Sequence, residues 1–205
     1  MADIGIIDYG YGNIRSVAEA FEFLGHDTRI IETAQDAPET GHLVLPGVGA
    51  FAQAAETLKT RGFGDLIERH IAREKPFLGI CVGMQVLMEE GDEFGVHPGL
   101  GLVKGRTVHL SGKAAPDFQC PHIGWSRVAL KPHSVFANNG LDGEYFYFNH
   151  SYICDPSDEK TITAVPAENN PWTVILESGP VIGIQCHPEK SHLAGLRFLD
   201  AFAGL

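Results

Sequence analysis

The chain has 205 residues, 44% of them hydrophobic and 20% charged, which is enough to bury a substantial core and too apolar for a disordered segment. Its 26 acidic residues against 15 basic ones give a formal net charge of −11, which disfavours nucleic acid and anionic membranes as partners. No apolar run is long enough to span a bilayer. Cys81, Cys120, Cys154 and Cys186 lack the paired spacing of a zinc site or a disulfide framework. No metal or other cofactor is therefore expected, and a cytoplasm with reduced thiols is the simplest setting. Met1-Ala2-Asp3 carries no basic segment of the kind that opens a secretory leader.

Strands and helices alternate in the first half. Asp3 to Tyr9 reads as a buried strand, and Asn13 is placed to cap a helix running to about Leu24. In that helix Ile14, Val17, Phe21 and Leu24 share a face, and Gly25 stands where a terminating glycine is expected. Thr28 to Glu32 and Leu43-Val44-Leu45 are further strands, the latter ended by Pro46-Gly47. Phe51 to Arg73 is helical in two pieces broken near Gly62 and Gly64. Phe77 to Ile80 is a fourth strand, followed by a helix from Val82 to about Glu90. The alternation implies an α/β fold with a mostly parallel central sheet and helices on both faces.

The second half alternates in the way half-buried strands do. Val103 to Val108, Trp125 to Leu130, Tyr145 to Cys154, Thr161 to Val165, Thr173 to Glu177 and Val181 to Cys186 are expected as antiparallel additions to the sheet. Leu193 to Phe202 closes the chain as an amphipathic helix. With neither repeat nor linker, residues 1–205 read as one domain.

Gly79-Ile80-Cys81-Val82-Gly83 has the Gly-x-nucleophile-x-Gly spacing of a nucleophile elbow, with cysteine in the place of serine. A sharp strand-to-helix turn forces the nucleophile into a strained conformation, and glycines on both sides admit the neighbouring chains. Cys81 would sit at a helix N-terminus, which favours thiolate, and the Val82 N–H would face a developing oxyanion. An isolated cysteine is more often a small core residue; the two glycines and the strand–helix context point the other way.

His187-Pro188-Glu189 supplies a base and its orienter. Residues two apart in an extended chain face one side, so Glu189 can hold one ring nitrogen of His187 and leave the other for Cys81. Alone this tripeptide is a weak signal in a chain with 10 histidines. Pro46-Gly47-Val48-Gly49 follows the third strand at the carboxyl ends of the sheet, where open α/β sheets bind ligands, and its glycines permit a peptide flip that presents an N–H to the reacting carbonyl.

Taken together, Gly79 to Gln85, Pro46 to Gly49 and His187 to Ser191 resemble the class I (triad) glutamine amidotransferases. Asp8 to Asn13, Pro121 to Trp125 and His150-Ser151-Tyr152 narrow the resemblance to the glutaminase subunits of imidazole glycerol phosphate synthase, over nearly the whole chain. The resemblance implies that Cys81 forms a glutamyl thioester, that His187 moves the protons and that Glu189 holds His187. It implies oxyanion N–H groups on Val82 and Gly49, and glutamine binding by Gly47, Val48, Gln85, Glu93, His150, Ser151 and Tyr152. It also implies a (β/α)₈-barrel cyclase subunit as heterodimeric partner, fed with ammonia for histidine biosynthesis, and little activity in its absence. The interface would lie near Asn13, Val48 and the Trp125 loop, with Trp125 assignable equally to interface or core. Ser126 and Cys186 depart from the family's usual Asn and Phe. Rival readings are a glutaminase serving another synthase, a cysteine hydrolase of esterase type on a similar elbow, and a binding module that kept the fold without the activity.

Overall fold

The computed structural model describes residues 1–35, 37–113, 118–168 and 172–205. Within them the first half runs β1 (Asp3–Ile7), α1 (Ile14–Phe23), β2 (Asp27–Ile31), β3 (His42–Gly47), α2 (Phe51–Thr60), α3 (Phe63–Ile71) and β4 (Phe77–Cys81). The order of these elements is the one read from the sequence. α1 ends as Gly25 predicts: the Gly25 N–H donates to Glu22 O at 2.9 Å and the His26 N–H to Phe21 O at 3.0 Å, which satisfies the last carbonyls. The break between α2 and α3 falls at Gly62, whose φ of +74° a glycine adopts without strain. Val17 and Phe21 are fully buried, and Ile14 and Leu24 pack against the same core from its edge. A phenylalanine buried in this way contributes on the order of 2–3 kcal/mol before conformational entropy is counted.

The chain continues with α4 (Val82–Gln85), β5 (Met88–Gly91), β6 (His97–Pro98), β7 (Val103–His109), β8 (His122–Leu130), β9 (Tyr145–His150), β10 (Tyr152–Pro156), β11 (Ile162–Pro166), β12 (Ile175–Ser178), β13 (Val181–Ile184) and α5 (His192–Ala203). The described strands form a nine-stranded sheet in the order β2-β1-β3-β4-β13-β12-β11-β8-β9 and a four-stranded sheet in the order β10-β7-β5-β6. From β2 to β13 the neighbours are parallel; from β13 to β9 they are antiparallel. Helices cover both faces. In β3, His42 meets Phe202 of α5 and Pro46 lies beside the Gly12–Ile14 approach to α1, while Leu45, of opposite parity, lies against Gly83 of α4.

Three expectations are corrected here. The helix after Cys81 ends at Gln85, not near Glu90. The Thr107 hydroxyl donates to Gln85 O at 2.9 Å, and the N–H groups of Leu100, Val103 and Gly101 take the carbonyls of Val86, Leu87 and Met88. Those carbonyls are thus used between segments and not along a helix, and the chain leaves the elbow as β5. Tyr145 to Cys154 is two strands, not one. It breaks at Ser151, so that β9 ends the large sheet while β10 joins the small one. β13 is not an antiparallel addition at the margin. It lies between β4 and β12, parallel to β4 with Gly183 opposite Gly79.

Candidate active site

β4 delivers Cys81 to the cleft and the elbow is built by contact. Cys81 has φ +56° and ψ −112°, a region that side chains rarely occupy. Three glycines make the turn possible. A Cβ on Gly79 would lie 2.5 Å from Gly83 O, one on Gly83 would lie 1.9 Å from Leu45 O, and one on Gly47 would lie 2.3 Å from Gly83 N. The two glycines of the sequence motif thus admit one another's backbone and that of β3. A one-turn α4 provides far less dipole than the longer helix expected from sequence, but the N–H groups of its first turn still lack helical partners.

His187 arrives from β13 on the next strand of the sheet. Its N–H donates to Tyr147 O at 2.9 Å. The Ser191 hydroxyl donates to His187 O at 2.7 Å and accepts the Tyr147 N–H at 3.0 Å, so β9 and the turn after His187 clamp its backbone. Nδ1 lies 3.0 Å from Glu189 Oε1, and both side chains are almost fully buried. A carboxylate only accepts, so Nδ1 carries hydrogen and Nε2 is left for the Cys81 side of the cleft. Burial by itself lowers the His187 imidazolium. Hydrogen bonds and charge from Cys81 and Glu189 outweigh it and raise the group to about 10. Burial raises Glu189, and the hydrogen bonds from His187 and Asn13 together with the charge on His187 more than reverse this.

Cys81, Val82 and His187 open on a cleft of about 290 Å³, lined also by Val48, Gly49, Gln85, Glu93, His150, Ser151 and Tyr152. Of the residues singled out from sequence, Glu189 lies behind His187, and Gly47 lies beneath the elbow, outside the lining. Gly49 has φ +93°, the conformational latitude that its proposed role requires. Glu93 accepts the Phe51 N–H at 2.6 Å, so one of its oxygens is committed to the start of α2. His150 sits among His122, Phe148 and Trp172, its Nδ1 3.0 Å from Tyr152 O, and burial lowers its pKa to about 3, which keeps it neutral. A larger groove of about 610 Å³, between α2, α3 and β6, contains none of these groups. Chemistry and not size selects the site.

The matching family model is that of glutamine amidotransferase class-I, over residues 5–202. The chain belongs to the class-I glutamine amidotransferases. Among relatives of this glutamine amidotransferase, the protein of Sulfurimonas denitrificans named imidazole glycerol phosphate synthase subunit HisH is 44% identical over 203 residues, covering 97% of this chain and 96% of its own. The Aquifex aeolicus protein of the same name is 39% identical over 198 residues, covering 96% and 94%. A crystal structure of a glutamine amidotransferase superposes with a TM-score of 0.76 at 18% identity, over 98% of this chain and 99% of the other. PurLQS from Thermotoga maritima gives 0.77 at 18% identity, over 100% and 99%. At that identity the likeness to the solved structures concerns the fold alone.

Three groups at the amidotransferase site were not found from sequence. Asn13, expected to cap α1, makes no side-chain cap; its Nδ2 donates to Glu189 Oε1 at 3.1 Å, while its Oδ1 accepts from Ser16. Gln185, fully buried, donates from Nε2 to Cys81 Sγ at 3.7 Å. Lys190 lines the cleft and, with Glu93, gives the lining one charge of each sign, which suits a zwitterionic amino acid. The available signal for Gln185 was its place two residues before His187, an amide in an otherwise apolar run. Of the other thiols, Cys154 and Cys186 are fully buried and held protonated by that burial. Trp125 is 43% exposed and stacks on His192, which settles its alternative readings against the core; the core tryptophan is Trp172.

Proposed function

We propose that this chain hydrolyses L-glutamine to glutamate and ammonia, as the glutaminase subunit of imidazole glycerol phosphate synthase in histidine biosynthesis. The observation that carries the reading is Cys81 at φ +56° on its elbow, sharing one cleft with a His187 whose Nδ1 is held at 3.0 Å by Glu189. Cys81 sulfur attacks the side-chain amide carbon of glutamine, and the N–H groups of Val82 and Gly49 receive the oxyanion. The proton held on His187 passes to the departing nitrogen, which leaves as ammonia and a thioester on Cys81. His187 then takes a proton from water, whose oxygen attacks the thioester and releases glutamate. Gln85, Glu93, His150, Ser151, Tyr152, Gly47 and Val48 are assigned to binding or shaping the substrate, with Glu93 facing the α-ammonium.

Ammonia released into neutral water becomes ammonium, which has no lone pair to attack with. The product is therefore handed directly to a cyclase subunit, read as a (β/α)₈ barrel in a 1:1 heterodimer, which uses it to make imidazole glycerol phosphate and an aminoimidazole carboxamide nucleotide. The exposed Val48 and Trp125 supply apolar surface for such a contact, and the formal net charge of −11 speaks against nucleic acid. No helix of the described residues is long and apolar enough to cross a membrane. We read residues 1–205 as one amidotransferase domain working in the cytoplasm, where its four free cysteines stay reduced. Relatives at 37–44% identity over nearly the whole chain bear the same synthase-subunit name, so no observation favours a glutaminase of another synthase or an esterase-type hydrolase.

The test is glutamate release by the complex with and without the substitution Cys81→Ala. Hydrolysis should fall by at least about 10⁴-fold while synthesis from added ammonia persists. Normal glutamate release by the alanine variant removes Cys81 from the chemistry.

A further inference from the structure

Gln185, the residue after β13, is buried to 0% exposure and touches no solvent. Its side chain lies between two groups of the cleft. Gln85 Nε2 donates to Gln185 Oε1 at 3.1 Å, and Gln185 Nε2 donates to Cys81 Sγ at 3.7 Å. The other donation from Gln85 Nε2 goes to Tyr152 O at 2.8 Å.

An amide side chain can be turned end for end, so such a chain of contacts has two conceivable directions. One member here has only one. Tyr152 O is a backbone carbonyl and can only accept; His150 Nδ1 approaches the same oxygen at 3.0 Å. The end of Gln85 that faces Tyr152 must therefore be its NH₂. That same nitrogen reaches Gln185, which must answer with its oxygen. Gln185 is then left to face the sulfur with N–H and nothing else. The polarity of a main-chain carbonyl in the substrate-binding segment is thus passed through two buried amides to the nucleophile. Both N–H bonds of Gln85 are consumed, so the cleft meets its oxygen.

We propose that Gln185 is a positioning residue for the hydrolysis, holding an N–H donor on the Cys81 sulfur in a direction fixed by Tyr152 O through Gln85. The inference deepens the glutaminase reading and rests on it for its catalytic meaning. An N–H aimed at sulfur favours the electron-rich thiolate over the thiol and fixes where the sulfur sits beside His187.

The test is the pH profile of alkylation of Cys81 by iodoacetamide in the full chain, followed by mass spectrometry of the Cys81 peptide so that Cys120 does not interfere. In Gln185→Met, which keeps the volume and loses the donor, the profile should move up by about one unit, with alkylation at neutral pH roughly tenfold slower. Gln185→Glu keeps the shape and the acceptor for Gln85 but turns a second oxygen to the sulfur; it should move the profile at least as far. Circular dichroism identifies the folded variants, and Gln185→Glu carries the test if Gln185→Met does not fold. A folded variant with the wild-type profile overturns the proposal. Glutamate release by the wild-type complex is measured beside these: its absence sinks the glutaminase reading without touching the alkylation result.

Discussion

The two halves of the site are held by different physics. The elbow around Cys81 is held by exclusion: Gly79, Gly83 and Gly47 sit where no methyl group fits, and backbone meets backbone. The arm that carries His187 is held by donors and acceptors: Ser191 on its carbonyl, Tyr147 on its N–H, Glu189 on its ring and Asn13 on Glu189. Steric fit fails all at once. A hydrogen-bonded arm loosens one bond at a time and can lose activity without losing the fold.

The largest effect should come from the elbow. Gly83→Ala would place a Cβ 1.9 Å from Leu45 O, a rigid main-chain atom, and we expect a loss above about 4 kcal/mol, seen as lost soluble yield or an early urea midpoint. An alanine variant of near wild-type stability would break the distinction drawn here. The arm should respond differently. Glu189→Gln preserves shape and removes charge, so turnover of the complex should fall roughly 10²–10⁴-fold with the urea midpoint within about 1 kcal/mol of wild type, and less steeply than for His187→Ala. Equal losses of stability and turnover would erase the contrast.

The smallest effect comes from acid, because the elbow's packing has nothing to titrate and the floor beside the arm does. Burial lowers His150 to about 3, against an ordinary 6.5. Below pH 6.5 the unfolded chain takes up a proton there that the folded chain refuses, so stability present above 6.5 is lost as pH falls toward 3. This residue should account for about 1 kcal/mol between pH 6.5 and 5.5. His150→Gln, which keeps a donor for Tyr152 O, should flatten that part of the stability profile measured by urea; an unchanged slope would place the acid sensitivity elsewhere, on His42, His70 or His122, which burial also lowers.

The same division explains what the sequence disclosed. Local features announced themselves: the apolar face of α1, its glycine terminator, and glycines two positions either side of Cys81. What depended on partners distant in the chain stayed hidden. Nothing near Gln85 says that the helix ends there, because the groups that take the following carbonyls come from residues 100–107. Ser151 divides β9 from β10 because the two halves of one alternating stretch find partners in different sheets. Asn13 has the look of a cap, and its partner lies 176 positions away. Gln185 offered only an amide beside an apolar run, and its partners Gln85 and Cys81 lie 100 and 104 positions away.

The place of β13 has a consequence for how the molecule comes into being. The last strand to be synthesised is inserted in the middle of the large sheet, between β4 and β12, and it brings the imidazole with it. Until the ribosome has released those residues, β4 and β12 are bare edges open to other chains, and the cysteine has no base beside it. Assembly of the protein's middle and arming of its chemistry are therefore one late event, and a nascent chain stalled short of residue 181 is a glutaminase in neither shape nor reactivity.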